Sequence, residues 1–241
     1  MEYSEFERLL RDSFALNGVL GPSKEQIELF YRFTEHLMKV NSVTNLTAIR
    51  NIPEVVTKHY ADSLLAEKMI PKGARVLDLG CGAGFPSIPL AIMRPDLRII
   101  SLDSTAKKIA FVKESAELLS LEHLQAISGR AEDMEIRKTL GSFDVVVSRA
   151  VARLNVLCEL CIPYLKIGGK LIAMKGAKAK EETEEAQSAI KTLCGVVRSI
   201  EDRILHTEEG EESRGLVAIE KIAATPSKYP RAYSAIAKKP L

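Results

Sequence analysis

Three glycines at alternate positions, Gly80, Gly82 and Gly84, follow the apolar run Arg75–Leu79, and Asp103 closes a second apolar run at residues 97–102. A turn of this kind lets backbone approach a ligand where a Cβ would obstruct it. A carboxylate at the end of the next strand accepts hydrogen bonds from ribose hydroxyls. Together they describe a grip on an adenosine group, although Asp103, just before Ser104-Thr105-Ala106, also has a helix cap as its alternative use. The grip is not built for a diphosphate. The dinucleotide pattern Gly-x-Gly-x-x-Gly needs glycine at position 85 or 87, where Phe85 and Ser87 stand, and the Lys-Ser/Thr pair of a phosphate-binding loop is missing.

With Asp78 before it, the triplet looks like the S-adenosylmethionine loop of class I methyltransferases, whose cationic cofactor needs no phosphate cradle. Two further strand ends carry candidate groups. Gly129-Arg130-Ala131-Glu132-Asp133 offers the Ala131 backbone N–H and a carboxylate to an adenine edge. Glu132 is preferred over Asp133 for that carboxylate, and a solvated loop is the alternative. Ser148-Arg149-Ala150 lacks both the Asn/Asp-Pro-Pro-aromatic cluster that positions an exocyclic amine and the nucleophilic cysteine that pyrimidine C5 requires. Arg149 is the candidate catalytic residue, and its guanidinium suits a carboxylate or phosphate. Such an end fits an acceptor whose lone pair is already free, such as guanine N7. Alignment alone supplies much of the rate there; well-oriented intramolecular reactions gain roughly 7–11 kcal/mol. The competing use of Arg149 is a purely structural ion pair.

The elements that must position these groups follow from the pattern. The chain has 241 residues, 46% of them hydrophobic, enough for one substantial domain and an appendage. Net charge is only +2. No apolar run approaches the roughly 18 residues of a membrane span, and the acidic N-terminus lacks a signal peptide's features, so a cytoplasmic protein is expected. Cys158 and Cys161 fall within a helical apolar pattern and read as core thiols; no second pair stands near them, so no metal site is expected. Residues 1–70 read as a helical extension packed on the core. It holds two helices between Ser4 and Val40, broken at Asn17–Pro22, the second capped by Ser23 with Gln26 as capping-box partner. A third helix is expected from Pro53 to Lys68. Residues 71–222 alternate strands at 75–79, 97–102, 124–128, 143–148 and 170–174 with helices at 85–93, 105–119, 153–165 and 179–194. That order predicts an α/β fold with a parallel sheet. Strands at 197–206 and 215–222, separated by the acidic stretch 208–212, predict a C-terminal antiparallel hairpin. Residues 223–241 form a basic tail carrying Lys228, Arg231, Lys238 and Lys239 and no acid.

The segments Asn45-Leu46-Thr47-Ala48-Ile49-Arg50, His59-Tyr60-Ala61-Asp62-Ser63-Leu64, residues 77–86, Gly129-Arg130-Ala131-Glu132, Ser148-Arg149-Ala150 and Lys238-Lys239-Pro240-Leu241 come in an order that resembles the bacterial 16S rRNA guanine-N7 methyltransferases, the RsmG or glucose-inhibited division protein B family. The resemblance spans almost the whole chain. It implies a class I S-adenosylmethionine-dependent methyltransferase, Rossmann-like, acting on one guanine in the decoding region (the 530 loop). It implies cofactor contacts from Gly80, Phe85, Ala131, Glu132 and Arg149, with Asp103 where the family's ribose-binding acid is expected. Two positions depart from the family: Ser87 and Thr105 stand where it usually has glycine and leucine. Under this resemblance the tail, with Arg153, Lys175 and Lys178, becomes an expected RNA-contacting surface. His59 and the 45–50 loop fall on the substrate side, and Phe85 or Tyr60 is expected to stack the guanine. The partner is 16S rRNA or a small-subunit particle, no membrane is involved, and a monomer is expected. The alternatives are a methyltransferase of the same fold acting on a protein or small molecule, and a non-catalytic factor of ribosome assembly; a nicotinamide oxidoreductase is remote.

Overall fold

The computed structural model describes residues 1–241. Seven strands form one sheet in the order β3-β2-β1-β4-β5-β7-β6: β1 (Arg75–Leu79), β2 (Arg98–Asp103), β3 (Leu124–Ser128), β4 (Phe143–Arg149), β5 (Leu165–Lys175), β6 (Gly195–Thr207) and β7 (Gly210–Lys221). The first five run parallel, and β7 is antiparallel to both β5 and β6. Strand order reverses between β1 and β4, so a crevice opens at their carboxyl ends.

Both faces of the sheet are covered, which is why its strands are almost wholly apolar. Alternate residues serve opposite cores: Val145 and Val147 of β4 face one and Val146 the other, and a register shift between Phe143 and Val145 places Phe143 with Val146. On the first face lie α1 (Tyr3–Leu16), α2 (Lys24–Thr44), a helical segment at 52–64, α5 (Ser87–Met93) and α6 (Ala106–Leu118). The Ser23 capping box is formed in both directions, and the Gln26 amide also donates to Ile92 O at 3.1 Å, tying α2 to α5. Phe33 of α2 lies 5.8 Å from the Phe85 ring and 6.1 Å from Phe111. The N-terminal helices therefore share a core with β1, β2 and β4. On the second face lie α7 (Met134–Leu140), α8 (Leu154–Cys161), α9 (Ala179–Glu185) and α10 (Gln187–Thr192); Cys158 and Cys161 are fully buried there.

The expected third helix is more irregular than its pattern implied. After an α-turn α3 (Ile52–Glu54), capped by Asn51, residues Val55–Ala61 are π-helical before a second α-turn, α4 (Asp62–Leu64). The Asp62 N–H reaches Thr57 O and His59 O and passes over Lys58 O, which accepts from Arg149 instead. The expected helix at 179–194 is two helices meeting at Ala186. The hairpin is tighter than expected: Thr207 pairs with Gly210, so Glu211 and Glu212 belong to the ladder. Helix α7 was not foreseen; it is short and buries only Leu140.

Candidate functional site

The first strand ends on a sharply turned loop. Gly80 N–H donates to Leu102 O at 2.7 Å, and Gly80, Gly82 and Gly84 all have positive φ. At Gly80 a Cβ would stand 2.3 Å from the Val151 side chain, so backbone conformation and contact both require glycine. Asp103 at the end of β2 secures the loop. Its Oδ2 accepts from Gly82 N at 3.0 Å and its Oδ1 from Thr105 N at 2.8 Å. Thr105, not Asp103, is the N-cap residue of α6. Each Asp103 oxygen keeps one lone pair for a further donor.

Beneath the loop lies Asp78, the one carboxylate within β1. It is fully buried. Its Oδ2 accepts from Ser87 N at 3.0 Å, whereas its Oδ1 and the Ser87 hydroxyl have no partner. Burial pushes its carboxyl up to about 7, against the lowering effect of the neighbouring Ser87. The sequence marks Asp78 only as the residue that precedes the loop. The signal was available as a carboxylate inside an otherwise apolar strand.

A cleft of about 520 Å³ opens over this floor, the size of a cofactor site. Gly80, Gly82, Phe85, Asp103, Ala131, Glu132 and Arg149 all line it; Gly84 lies one turn below, packed on Ile88. At the β3 end Tyr164 donates to Ala131 O at 2.9 Å, and Arg130 pairs with Glu132 at 2.6 Å. Asp133 turns away and caps α7 through Glu135 N and Ile136 N. Glu132 therefore faces the cleft and Asp133 does not. Backbone turned open by glycine, a strand-end carboxylate with spare lone pairs and a buried acid with an orphaned oxygen form a donor and acceptor set that fits a cationic adenosine cofactor.

The β4 end is occupied by a polar network. Arg149 Nη1 donates to Asp62 Oδ2 at 2.7 Å and to Lys58 O at 2.8 Å, and Nη2 lies 3.2 Å from His59 Nδ1. The carboxylate that this guanidinium faces is thus the protein's own. Asp62, 5% exposed, also accepts from Arg214 of β7 at 2.8 Å. A guanidinium only donates, so His59 Nδ1 must be the acceptor and Nε2 must carry the proton. Nε2 donates to Thr47 Oγ1 at 2.8 Å, and Ile49 N–H reaches the same oxygen at 3.2 Å. With both lone pairs engaged, the Thr47 hydroxyl is left as a donor. Burial, reinforced by Arg149, pulls the His59 imidazole down to about 3. Its ring stacks on Phe85, 4.2 Å between centroids. Tyr60, by contrast, is fully buried with its hydroxyl 2.8 Å from Thr34 Oγ1, so it cannot stack a base.

Beyond His59, Arg149 and Ala150, which line both spaces, lies a second cavity of about 390 Å³ carrying Lys58, Lys175 and Arg214. Lys175 pairs with Glu182, Arg153 with Glu185 and Lys178 with Glu181, so none of the three is an unpaired cation.

The sheet order, the glycine turn after β1 and the acid after β2 define a class I methyltransferase. An O-methyltransferase from Bacillus cereus, solved with SAH, superposes with a TM-score of 0.57 at 16% identity over 91% of this chain and 100% of its own. TrmN from Thermus thermophilus gives 0.52 at 16% identity, over 69% and 53% of the two chains. These likenesses concern the fold alone. Within that class, the chain belongs to the GidB family, rRNA small subunit methyltransferase G, whose model matches residues 26–209. A ribosomal RNA small subunit methyltransferase G from Brevibacillus brevis is 44% identical over 221 residues, 90% of this chain and 91% of its own. One from Clostridium kluyveri is 40% identical across the full length of both.

Proposed function

We propose that this chain methylates N7 of one guanine in the decoding region of 16S rRNA, with S-adenosylmethionine as donor. The observation that carries the reading is the state of His59. Its lone pair is engaged by Arg149, its proton by Thr47, and its pKa is held near 3. It cannot take a proton from a substrate. The Cys81 thiol in the cleft is buried and its pKa pushed well above the usual range, so it is no nucleophile. With no histidine base and no cysteine nucleophile available, the cleft suits an acceptor that brings its own lone pair, as guanine N7 does, and that loses no proton on methylation.

The cofactor, when bound, supplies an electrophilic methyl group on its sulfonium. Asp103 accepts the ribose hydroxyls through its spare lone pairs. Gly80 and Gly82 keep the floor open, and Gly84 lets the turn pack on Ile88 beneath it. The Ala131 N–H and Glu132 would meet the adenine edge, and Phe85 would be an apolar wall of the site. Arg149 is a positioning residue: it fixes His59 against Phe85 and clamps Asp62. The Thr47 hydroxyl, bound to donate, matches the O6 acceptor beside guanine N7. It opposes adenine, which presents an amino donor at that place. Membership of an rRNA methyltransferase family supports the choice of substrate.

The reading is tested by following label from S-adenosylmethionine in a mixture of small-subunit particles lacking the modification, ribosomal protein and small metabolites. Label confined to 16S rRNA is the expected result. Label in protein or metabolite, with none in RNA, would move the function to another acceptor.

A further inference from the structure

The basic tail is not a free arm. Arg231 is spent on Glu159 of α8, a residue with no exposed surface. The Arg231 backbone N–H and Nε both donate to Glu159 Oε1, at 2.9 and 2.8 Å, and Nη2 donates to Oε2 at 2.6 Å. Tyr229 and Ile236 are buried in the second core, and Arg137 donates to Tyr229 O at 2.7 Å. Between these anchors α11 (Tyr233–Lys238) holds the Tyr233 ring at the mouth of the 520 Å³ cleft, where it remains 41% exposed. Arg130 Cζ sits 5.3 Å from that ring, and Arg130 in turn pairs with Glu132. An exposed aromatic ring, fixed from behind and beside the loop of Ala131 and Glu132, is a stacking platform for a purine. Glu159, which holds the tail, is followed on the same helix by Leu160, which lines the cleft.

We infer that the C-terminal segment is part of the cofactor site: Tyr233 covers the adenine end of the cleft, and the Arg231–Glu159 pair positions it there. The inference rests on the cofactor reading above and adds two residues, Tyr233 and Arg231, to the site.

Calorimetry with S-adenosylhomocysteine and with adenosine tests it. Tyr233→Ala weakens both ligands about tenfold and by the same factor, because Tyr233 reaches only the adenine end; stacked bases lose roughly this much on alanine substitution. Tyr233→Phe keeps the ring and stays within about twofold of the parent. Arg231→Ala weakens both ligands similarly, and adding Tyr233→Ala to it costs little more, since both act through one contact. The melting temperature of the ligand-free Tyr233→Ala protein is unchanged, and so is its affinity for small-subunit rRNA without cofactor. Unaltered ligand affinity in Tyr233→Ala would overturn the inference, as would additive losses in the double variant or a loss confined to RNA. If the parent protein bound neither ligand, the cofactor reading itself would fall, and this inference with it.

Discussion

At the residue scale, the β4 end commits Arg149 to three partners from the 58–62 segment. Arg149→Ala therefore frees His59 and leaves the buried Asp62 with Arg214 alone. Single-turnover methyl transfer should fall roughly 100-fold, the scale of losing one positioned donor, with a smaller loss of S-adenosylhomocysteine affinity. Turnover near the parent value would reduce Arg149 to a structural ion pair. Asp78 sets a pH dependence. Its raised pKa means that the folded protein holds the proton better than the unfolded chain. Its contribution to stability is intact below its ordinary value of 3.8 and lost as pH rises through about 7. Asn at this position keeps the acceptor for Ser87 N–H and offers a donor to the unpartnered Ser87 hydroxyl. Asp78→Asn should gain on the parent between about pH 4 and pH 7 by as much as about 4 kcal/mol, the equivalent of that displacement. Urea unfolding of cofactor-free protein reads the difference; a gap independent of pH would contradict it. The glycines, Asp103 and Arg149 were legible because each interrupts an apolar pattern at a strand end. The Arg149–Asp62–Arg214 chain was not, because its members are far apart in sequence and nothing local marks them as partners.

At the element scale, the sheet could be read from the chain because strands buried on both faces are continuous apolar runs, separated by helical periods. Irregular helices could not. The π-helical turn at Val55–Ala61 exists in relation to Arg149, which lies 91 positions from Lys58. Helix α7 depends on the Asp133 cap more than on an apolar face. The joint between extension and sheet rests on aromatic packing: Phe33 touches Tyr60, Phe85 and Phe111 and is fully buried. Phe33→Ala should cost about 3–5 kcal/mol, the range for emptying a buried aromatic site, and should loosen His59 against Phe85. Denaturant melts measure the first effect and histidine proton resonances the second. A loss under about 1 kcal/mol would show that the extension packs independently of the sheet.

At the scale of the whole molecule, three parts of the chain meet over one cleft: the loop and π-helical turn of the extension, the strand ends of the sheet, and the C-terminal segment. The tail's positive charge suggested RNA contact, but charge alone did not reveal that Arg231 is consumed by a buried glutamate. Lys228, Lys238 and Lys239 remain exposed for the solvent-facing side. The atom that receives the methyl group decides the function. The direct measurement is nucleoside mass analysis of small-subunit rRNA, from particles lacking the modification, after incubation with the protein and labelled S-adenosylmethionine. One 7-methylguanosine per 16S rRNA, mapped to a single position in the decoding region, is the predicted result. Label recovered on an exocyclic amine, a ribose or a pyrimidine carbon would contradict it, because those reactions call for a histidine-like base or a cysteine nucleophile, and neither His59 nor Cys81 is free to serve.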